Sequence, residues 1–226
     1  MQPSGAGVST AVSGQEEQVA RLRAGLEMLR IDASDVQRRH LTSFIAMLVK
    51  WNSVFNLTAV RDAADMLAVH VLDALSIVGL VEQYARNTVL DVGSGAGIPA
   101  IPLAIIRPDL AIHSVDAVAK KIGFQLQVRA ALPLTNLHPR HARIESLKLP
   151  DEPSVIVSRA FSAIPNMLDA VDHLSGRQTT VIAMKGQEPA NELAALPSGW
   201  VVDRVVRLEV PFLGALRCAV VLKQTS

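Results

Sequence analysis

Cysteine is nearly absent. Cys218 stands alone among 226 residues, which excludes an internal disulfide and any CxxC metal or redox pair. Aromatic residues make up 4% of the chain, too few for a platform that stacks single-stranded nucleic acid. No sign of charge dominates either. Lys and Arg number 22 against 21 Asp and Glu, a net charge of +1, and such a chain does not grip naked nucleic acid by charge alone. The six histidines show no HExxH or other ligand spacing, so no metal is expected. No Ser-His-Asp or Cys-His set is evident, and Cys218 lies inside an apolar run as a core residue does. No run reaches about 18 uninterrupted apolar residues, and no basic segment leads into an apolar one at the N-terminus. A cytoplasmic location without a membrane span is the expectation. The absence of a heptad seam favours a monomer.

What the chain does have is aliphatic bulk, 50% hydrophobic residues at 226 in length, enough to bury a core without staples. Residues 1–14 (MQPSGAGVSTAVSG) read as a disordered tail. Residues 15–86 read as helical. Val19, Leu22, Leu26 and Leu29 recur at spacings of three and four; Ser34 suits an N-cap ahead of Leu41, Phe44, Ile45 and Leu48; Asp62 suits another. From residue 87 to 226 the texture changes to β-branched runs alternating with helices. Strands are expected at Thr88–Val92, Ile112–Val115, around Leu137, Val155–Val157 and Thr179–Met184, with helices at Pro99–Ile106 and Val118–Ala131. That alternation specifies a parallel sheet covered on both faces. Val201–Val210 and Leu216–Leu222, joined by a short Pro-Phe-Leu-Gly link, would form an antiparallel pair at its edge, giving seven strands.

The central feature is Asp91-Val92-Gly93-Ser94-Gly95-Ala96-Gly97-Ile98-Pro99, between a strand and a helix. Three alternate glycines let backbone turn sharply and approach a ligand. Ile98 stands where a dinucleotide fingerprint needs its third glycine, and no Lys-Ser/Thr follows Gly97, so neither a nicotinamide dinucleotide nor a nucleoside triphosphate fits. A carboxylate at Asp91 repels phosphate and attracts a cation, which points to S-adenosylmethionine, a sulfonium and ammonium without phosphates. Asp116 ends the second strand, 19 residues after Gly97, where a carboxylate accepts from ribose hydroxyls. Glu145, after the third strand, is either an adenine contact alongside Ile144 and Ile98 or a solvated acid. Arg159 has three readings: a clamp on the donor's carboxylate, a contact to guanine O6 or RNA phosphate, or a structural ion pair. Lys185, ending the fifth strand, is a phosphate contact or a plain surface lysine. Lys120, Lys121 and Arg143 belong to a modest basic excess in the second and third units and are candidates to touch RNA. Asn52, Asn56, His70 and Asp73 fit a tie between the helical region and the sheet better than an RNA-facing wall, and Trp51 fits packing between the two.

The chain resembles the small-subunit ribosomal RNA methyltransferase G family, also called glucose-inhibited division protein B, over roughly residues 40–222. The resemblance rests on Lys50-Trp51-Asn52 with Asn56-Leu57-Thr58-Ala59, on His70 with Leu72-Asp73, on the glycine loop and Lys120-Lys121. It continues through Ser158-Arg159-Ala160, Lys185-Gly186 and Val210-Pro211. It implies an α/β, Rossmann-like class I methyltransferase with a seven-stranded, mostly parallel sheet and an N-terminal helical extension. The implied reaction moves a methyl group from S-adenosylmethionine to N7 of one guanine in 16S ribosomal RNA. A methyltransferase for a small molecule or protein is the alternative. The partner would be the ribosomal RNA or the 30S particle. In the family pattern Gly93 and Ile98 line the cofactor loop, Ile144 and Glu145 lie at the adenine, and Arg159 near the donor; Asp91, Gly95 and Asp116 join them as cofactor candidates from the reading of the loop itself. Two positions depart from the pattern: Ala100, where glycine is usual, and Ala117, where serine is frequent. Neither change removes a charge or the turn.

Overall fold

The computed structural model describes residues 6–159 and 161–225. Helices α1 (Ala6–Met28) and α2 (Asp35–Phe55) come first. They are followed by α3 (Ala63–Met66), a π-helical segment (Leu67–Leu72), α4 (Asp73–Leu75) and α5 (Val78–Tyr84). Then strands and helices alternate: β1 (Thr88–Val92), α6 (Ala100–Ile106), β2 (Ala111–Asp116), α7 (Ala119–Ala131), β3 (Leu137–His141), β4 (Val155–Arg159), α8 (Ile164–Val171) and β5 (Thr180–Lys185). The chain closes with α9 (Ala190–Leu193), β6 (Trp200–Arg207) and β7 (Cys218–Gln224).

The sheet order is β3-β2-β1-β4-β5-β7-β6. The first five strands are parallel, while β7 runs antiparallel between β5 and β6. The order reverses between β1 and β4, and such a switch point opens a crevice at the carboxyl ends of the strands. Every residue of β1 is buried, as a central strand covered on both faces requires.

Local chemistry sets the helix ends. Ser34 Oγ accepts from the Gln37 N–H at 3.2 Å and Gln37 Oε1 accepts from the Ser34 N–H at 2.8 Å, a closed capping box. The Gln37 amide also donates to the Ile105 and Ile106 carbonyls, tying α2 to the end of α6. Asp62 caps α3 through the Ala64 and Asp65 N–H groups. Leu41, Phe44, Ile45 and Leu48 are buried on one face of α2. Trp51 packs on Phe124 of α7 with ring centroids 5.6 Å apart. One apolar cluster runs from Leu22, Phe44 and Leu72 through Ile101 and Phe124 to Val155, so the N-terminal helices and one face of the sheet share a core.

Two expectations need correction. The tail expected over residues 1–14 is helical from Ala6 onward; after Pro3 no proline interrupts the run, and Ala, Val, Ser and Thr all permit a helix. Residues 1–5 lie outside the described residues. Val19 also points outward, 41% exposed, so the inward face of α1 rests on Leu22 and Leu26. Finally, the stretch Ala63–Tyr84 is long and apolar enough to cross a membrane, yet 67% of its apolar window is buried within the fold, the position of an interior element.

Candidate active site

The glycine loop sits at the carboxyl end of β1. Gly93, Gly95 and Gly97 have φ of +68°, +58° and +79°, the left-handed region that side chains avoid. Space demands glycine too. A Cβ on Gly97 would lie 2.4 Å from Ile101 Cδ1, and one on Gly93 would lie 2.9 Å from the Phe161 ring. The Gly93 and Ser94 N–H groups both donate to the Val115 carbonyl at 3.0 Å, which binds the loop to the end of β2.

Beneath the loop lies Gln125 of α7, fully buried. Its amide donates to Ser94 Oγ (2.9 Å) and to the Gly95 carbonyl (2.8 Å), and its oxygen accepts from Ser114 Oγ (2.6 Å). This hub was not foreseen. Its signal was a polar residue between Ile122 and Val128, on the buried face of an amphipathic helix.

Asp116 holds the loop from the other side. Oδ2 accepts from the Gly95 N–H at 2.9 Å and Oδ1 from the Val118 N–H at 2.8 Å. A carboxylate has about four acceptor positions, so capacity for hydroxyl donors remains. Lys121 Nζ lies 3.8 Å from Oδ2. A cleft of about 230 Å³ opens here, lined by Gly93, Asp116, Ala117, Arg143, Ile144, Glu145 and Phe161 among others. Ile144 and Phe161 supply apolar walls, and Glu145 is exposed at the rim. Ile98 is elsewhere: 4% exposed, it belongs to the core under the loop.

Asp91 is fully buried. One oxygen accepts from the Ala100 N–H at 3.0 Å, and the other, Oδ1, has no partner among the described residues. Burial pushes its carboxyl up to about 7, against the lowering by the Ala100 bond and the Arg159 charge. Ala100 takes part through its backbone alone, so the methyl group it carries in place of hydrogen leaves this bond intact.

Arg159 turns to the N-terminal helices. It donates to the Val69 carbonyl (2.7 Å), to Asp73 Oδ2 (3.0 Å) and to His70 Nδ1 (3.3 Å). Asp73, 2% exposed, also takes Arg217 at 3.0 Å. Since His70 Nδ1 accepts, Nε2 carries the proton and donates to Thr58 Oγ1 at 2.8 Å. Burial, then the Arg159 charge, lowers His70 to about 4, which keeps the ring neutral. Asn52 extends the chain of bonds to Thr58 and Val60, while Asn56 ends α2 and bonds Arg61. Arg159 thus makes an ion pair with Asp73, and its charge also reaches Asp91 behind the glycine loop. Lys185 is likewise engaged: Nζ lies 2.8 Å from Glu192 Oε2, whose carboxylate also accepts from the Ile164 N–H. Lys120 donates to the Phe55 carbonyl at the end of α2. Of the four RNA candidates, Arg143 alone borders the cleft. Cys218 is buried, and burial pushes its thiol up, as a core position does.

The profile of rRNA small subunit methyltransferase G matches residues 37–220. This chain belongs to the rRNA small subunit methyltransferase G family. Curated relatives include the Ribosomal RNA small subunit methyltransferase G of Burkholderia multivorans, 44% identical over 85% of this chain and 86% of its own. That of Ralstonia nicotianae is 42% identical over 92% of this chain and 96% of its own. Among solved structures, a SAM-dependent methyltransferase from Aquifex aeolicus shares the fold: 18% identity, TM-score 0.55, covering 71% of this chain and 93% of that one. The methyltransferase G family modifies small-subunit ribosomal RNA with S-adenosylmethionine as donor. The small-molecule alternative and the nicotinamide reading are therefore set aside. The glycine cradle and the partnerless Asp91 oxygen are features that a cationic nucleoside donor fits.

Proposed function

We propose that the protein methylates N7 of a guanine in 16S ribosomal RNA, with the donor's adenosine held in the cleft between Gly93, Asp116, Ile144 and Phe161. The observation that carries this reading is the convergence, at the carboxyl ends of β1, β2 and β3, of three left-handed glycines, one ribose-competent carboxylate and an apolar slot. When bound, S-adenosylmethionine supplies a methyl group on a positively charged sulfur. Asp116 would accept from the ribose hydroxyls, Ile144 and Phe161 would cover the adenine faces, and Glu145 would meet its edge. Asp91, from behind the loop, would favour the donor's positive charge. Arg159 acts at one remove, fixing the end of β4 against the helices.

Guanine N7 carries a free lone pair at neutral pH, so the protein has no proton to remove. What it must supply is alignment of two reactants and exclusion of water. The acids lining the cleft among the described residues, Asp116 and Glu145, are assigned here to the ribose and the adenine edge, and the reaction asks neither to take a proton. The protein acts as a cytoplasmic monomer in this reading, on the RNA or on the 30S particle.

Mass spectrometry of small-subunit RNA from a strain lacking the gene, beside the same strain complemented, tests the reading. One guanine is expected to lose a methyl group and regain it on complementation. An unchanged modification map overturns the assignment.

A further inference from the structure

Apart from the cleft, the most unusual electrostatic feature is the far edge of the sheet. β3 reads Leu137-His138-Pro139-Arg140-His141 and pairs with β2 alone. Leu137 belongs to the core shared with the N-terminal helices, so side-chain alternation sends His138 and Arg140 to the opposite face. There His138 stacks on His113, its register partner on β2, with ring centroids 4.9 Å apart. Burial and the Arg129 and Arg140 charges lower His138, and Arg129 stands in the last turn of α7, the helix packed on β3. Arg143 and Lys148 follow in sequence, both exposed.

This patch differs from the other cations near the site. Arg159, Arg217, Lys185 and Lys121 all have carboxylate partners. Arg129, Arg140, Arg143 and Lys148 have none among the described residues. Arg140 is only half exposed, yet its guanidinium makes no hydrogen bond among the described residues, and its Nε is buried without a partner, as is His113 Nδ1. Holding a guanidinium half-buried and unpaired is costly, and an anion arriving from outside the chain removes that cost. Acids stand nearby as well: the Asp151 charge reaches His113, Asp116 is the register partner of His141, and Glu145 lies with Arg143 at the cleft rim. Arg143 joins the patch to the cleft.

We propose that the outer edge of β3, with Arg140 at its centre and Arg129, Arg143 and Lys148 around it, is a binding site for the RNA sugar-phosphate backbone. The proposal rests on the ribosomal RNA reading above. Successive same-face positions on a strand lie about 6.6 Å apart, so His138 and Arg140 present a short rail that leads through Arg143 to the cofactor cleft. With a net charge of only +1, the protein must concentrate its attraction for RNA in such a patch. Phosphate contacts of this kind set register without reading sequence.

The test uses the full-length protein carrying R129Q, R140Q and K148Q together; Arg143 is left in place because it borders the cleft. Affinity for a 16S RNA precursor is expected to fall at least tenfold at about 100 mM salt. The slope of log affinity against log salt should become shallower by about 2, at roughly 0.7–0.9 per lost phosphate contact. Calorimetric affinity for S-adenosylmethionine should stay within twofold, which shows an intact fold beside the patch, and the charge-preserving R129K/R140K variant should keep most RNA affinity. Parental RNA affinity and salt slope in the triple variant overturn the proposal. On the unmutated protein, acetylation footprinting should show Lys148 protected by RNA and Lys223, on β7 near the opposite edge, unprotected; equal labelling of Lys148 with and without RNA also overturns it. If the parent methylates no RNA at all, the functional reading fails; if the parent is active and the variants match it, only the patch fails.

Discussion

Arg159 Nη1 lies 3.0 Å from Asp73 Oδ2, joining the end of β4 to the helix that starts where the π-helical segment ends. The opposite carboxylate oxygen takes Arg217, next to the start of β7. One buried acid thus pins three elements: the N-terminal helices, a central strand and the antiparallel edge. His70 and Asp73 both reach Arg159 because residues three apart on a helical stretch share a face.

Removing that acid should be severe. Asp73→Ala leaves two partly buried guanidinium groups without a countercharge, and breaking such pairs costs about 3–5 kcal/mol. Asp73→Asn keeps acceptor geometry and should lose less. Urea unfolding of the three proteins checks the order; a stability for Asp73→Ala within about 0.5 kcal/mol of the parent would contradict it.

The glycines of the loop should be unequal to glycines elsewhere. Gly97→Ala combines a left-handed φ with a Cβ 2.4 Å from Ile101, a backbone penalty of about 1 kcal/mol and overpacking of about 1–3 kcal/mol. Gly199→Ala also sits at positive φ, +90°, but opens onto free space and should show the backbone part alone. Thermal melts and donor titration should rank Gly97→Ala well below Gly199→Ala, with donor affinity lost only in the former.

How much of this was legible beforehand depends on the range of the cause. β1 was placed to the residue because an apolar β-branched run bounded by Asn87 and Gly93 has a local signature. Ser34 and Asp62 were legible as caps because a cap bonds residues two or three positions ahead. The partners of Arg159 and Lys185 were not, since a cation's mate depends on packing; Arg217 and Asp73 are 144 residues apart. The family pattern sets Ile98 on the cofactor loop, and its burial in the core beneath that loop depends on packing that no local pattern shows.

Gln125→Leu probes the support beneath the loop. The substitution strands the Gly95 carbonyl and two serine hydroxyls in a dry interior, each worth about 1–3 kcal/mol when left unpaired. A loss of about 2–4 kcal/mol in stability is expected, with KM for the donor raised several-fold and kcat changed less. An unchanged KM would mean that the loop holds its shape without this amide.

Asp91 gives the pH dependence. Its folded-state carboxyl is raised from 3.8 to about 7, so the native protein holds a proton there that the unfolded chain has released. The contribution to stability of the free protein is therefore full below about 3.8 and is lost as pH rises toward 7. His70 works the other way: its value falls from 6.5 to about 4, so its contribution is present above 6.5 and lost as pH falls toward 4. Parent, Asp91→Asn and His70→Gln separate the two slopes in urea titrations between pH 4.5 and 7.5, each bounded by about 1.4 kcal/mol per pH unit. A cationic donor favours the ionised carboxylate, so donor binding near pH 7 should release a proton and tighten as pH rises through 7. Calorimetry in two buffers of different ionisation enthalpy measures that proton. Asp91→Asn should abolish the difference between buffers; persistence of the full difference in Asp91→Asn would assign the proton to another group.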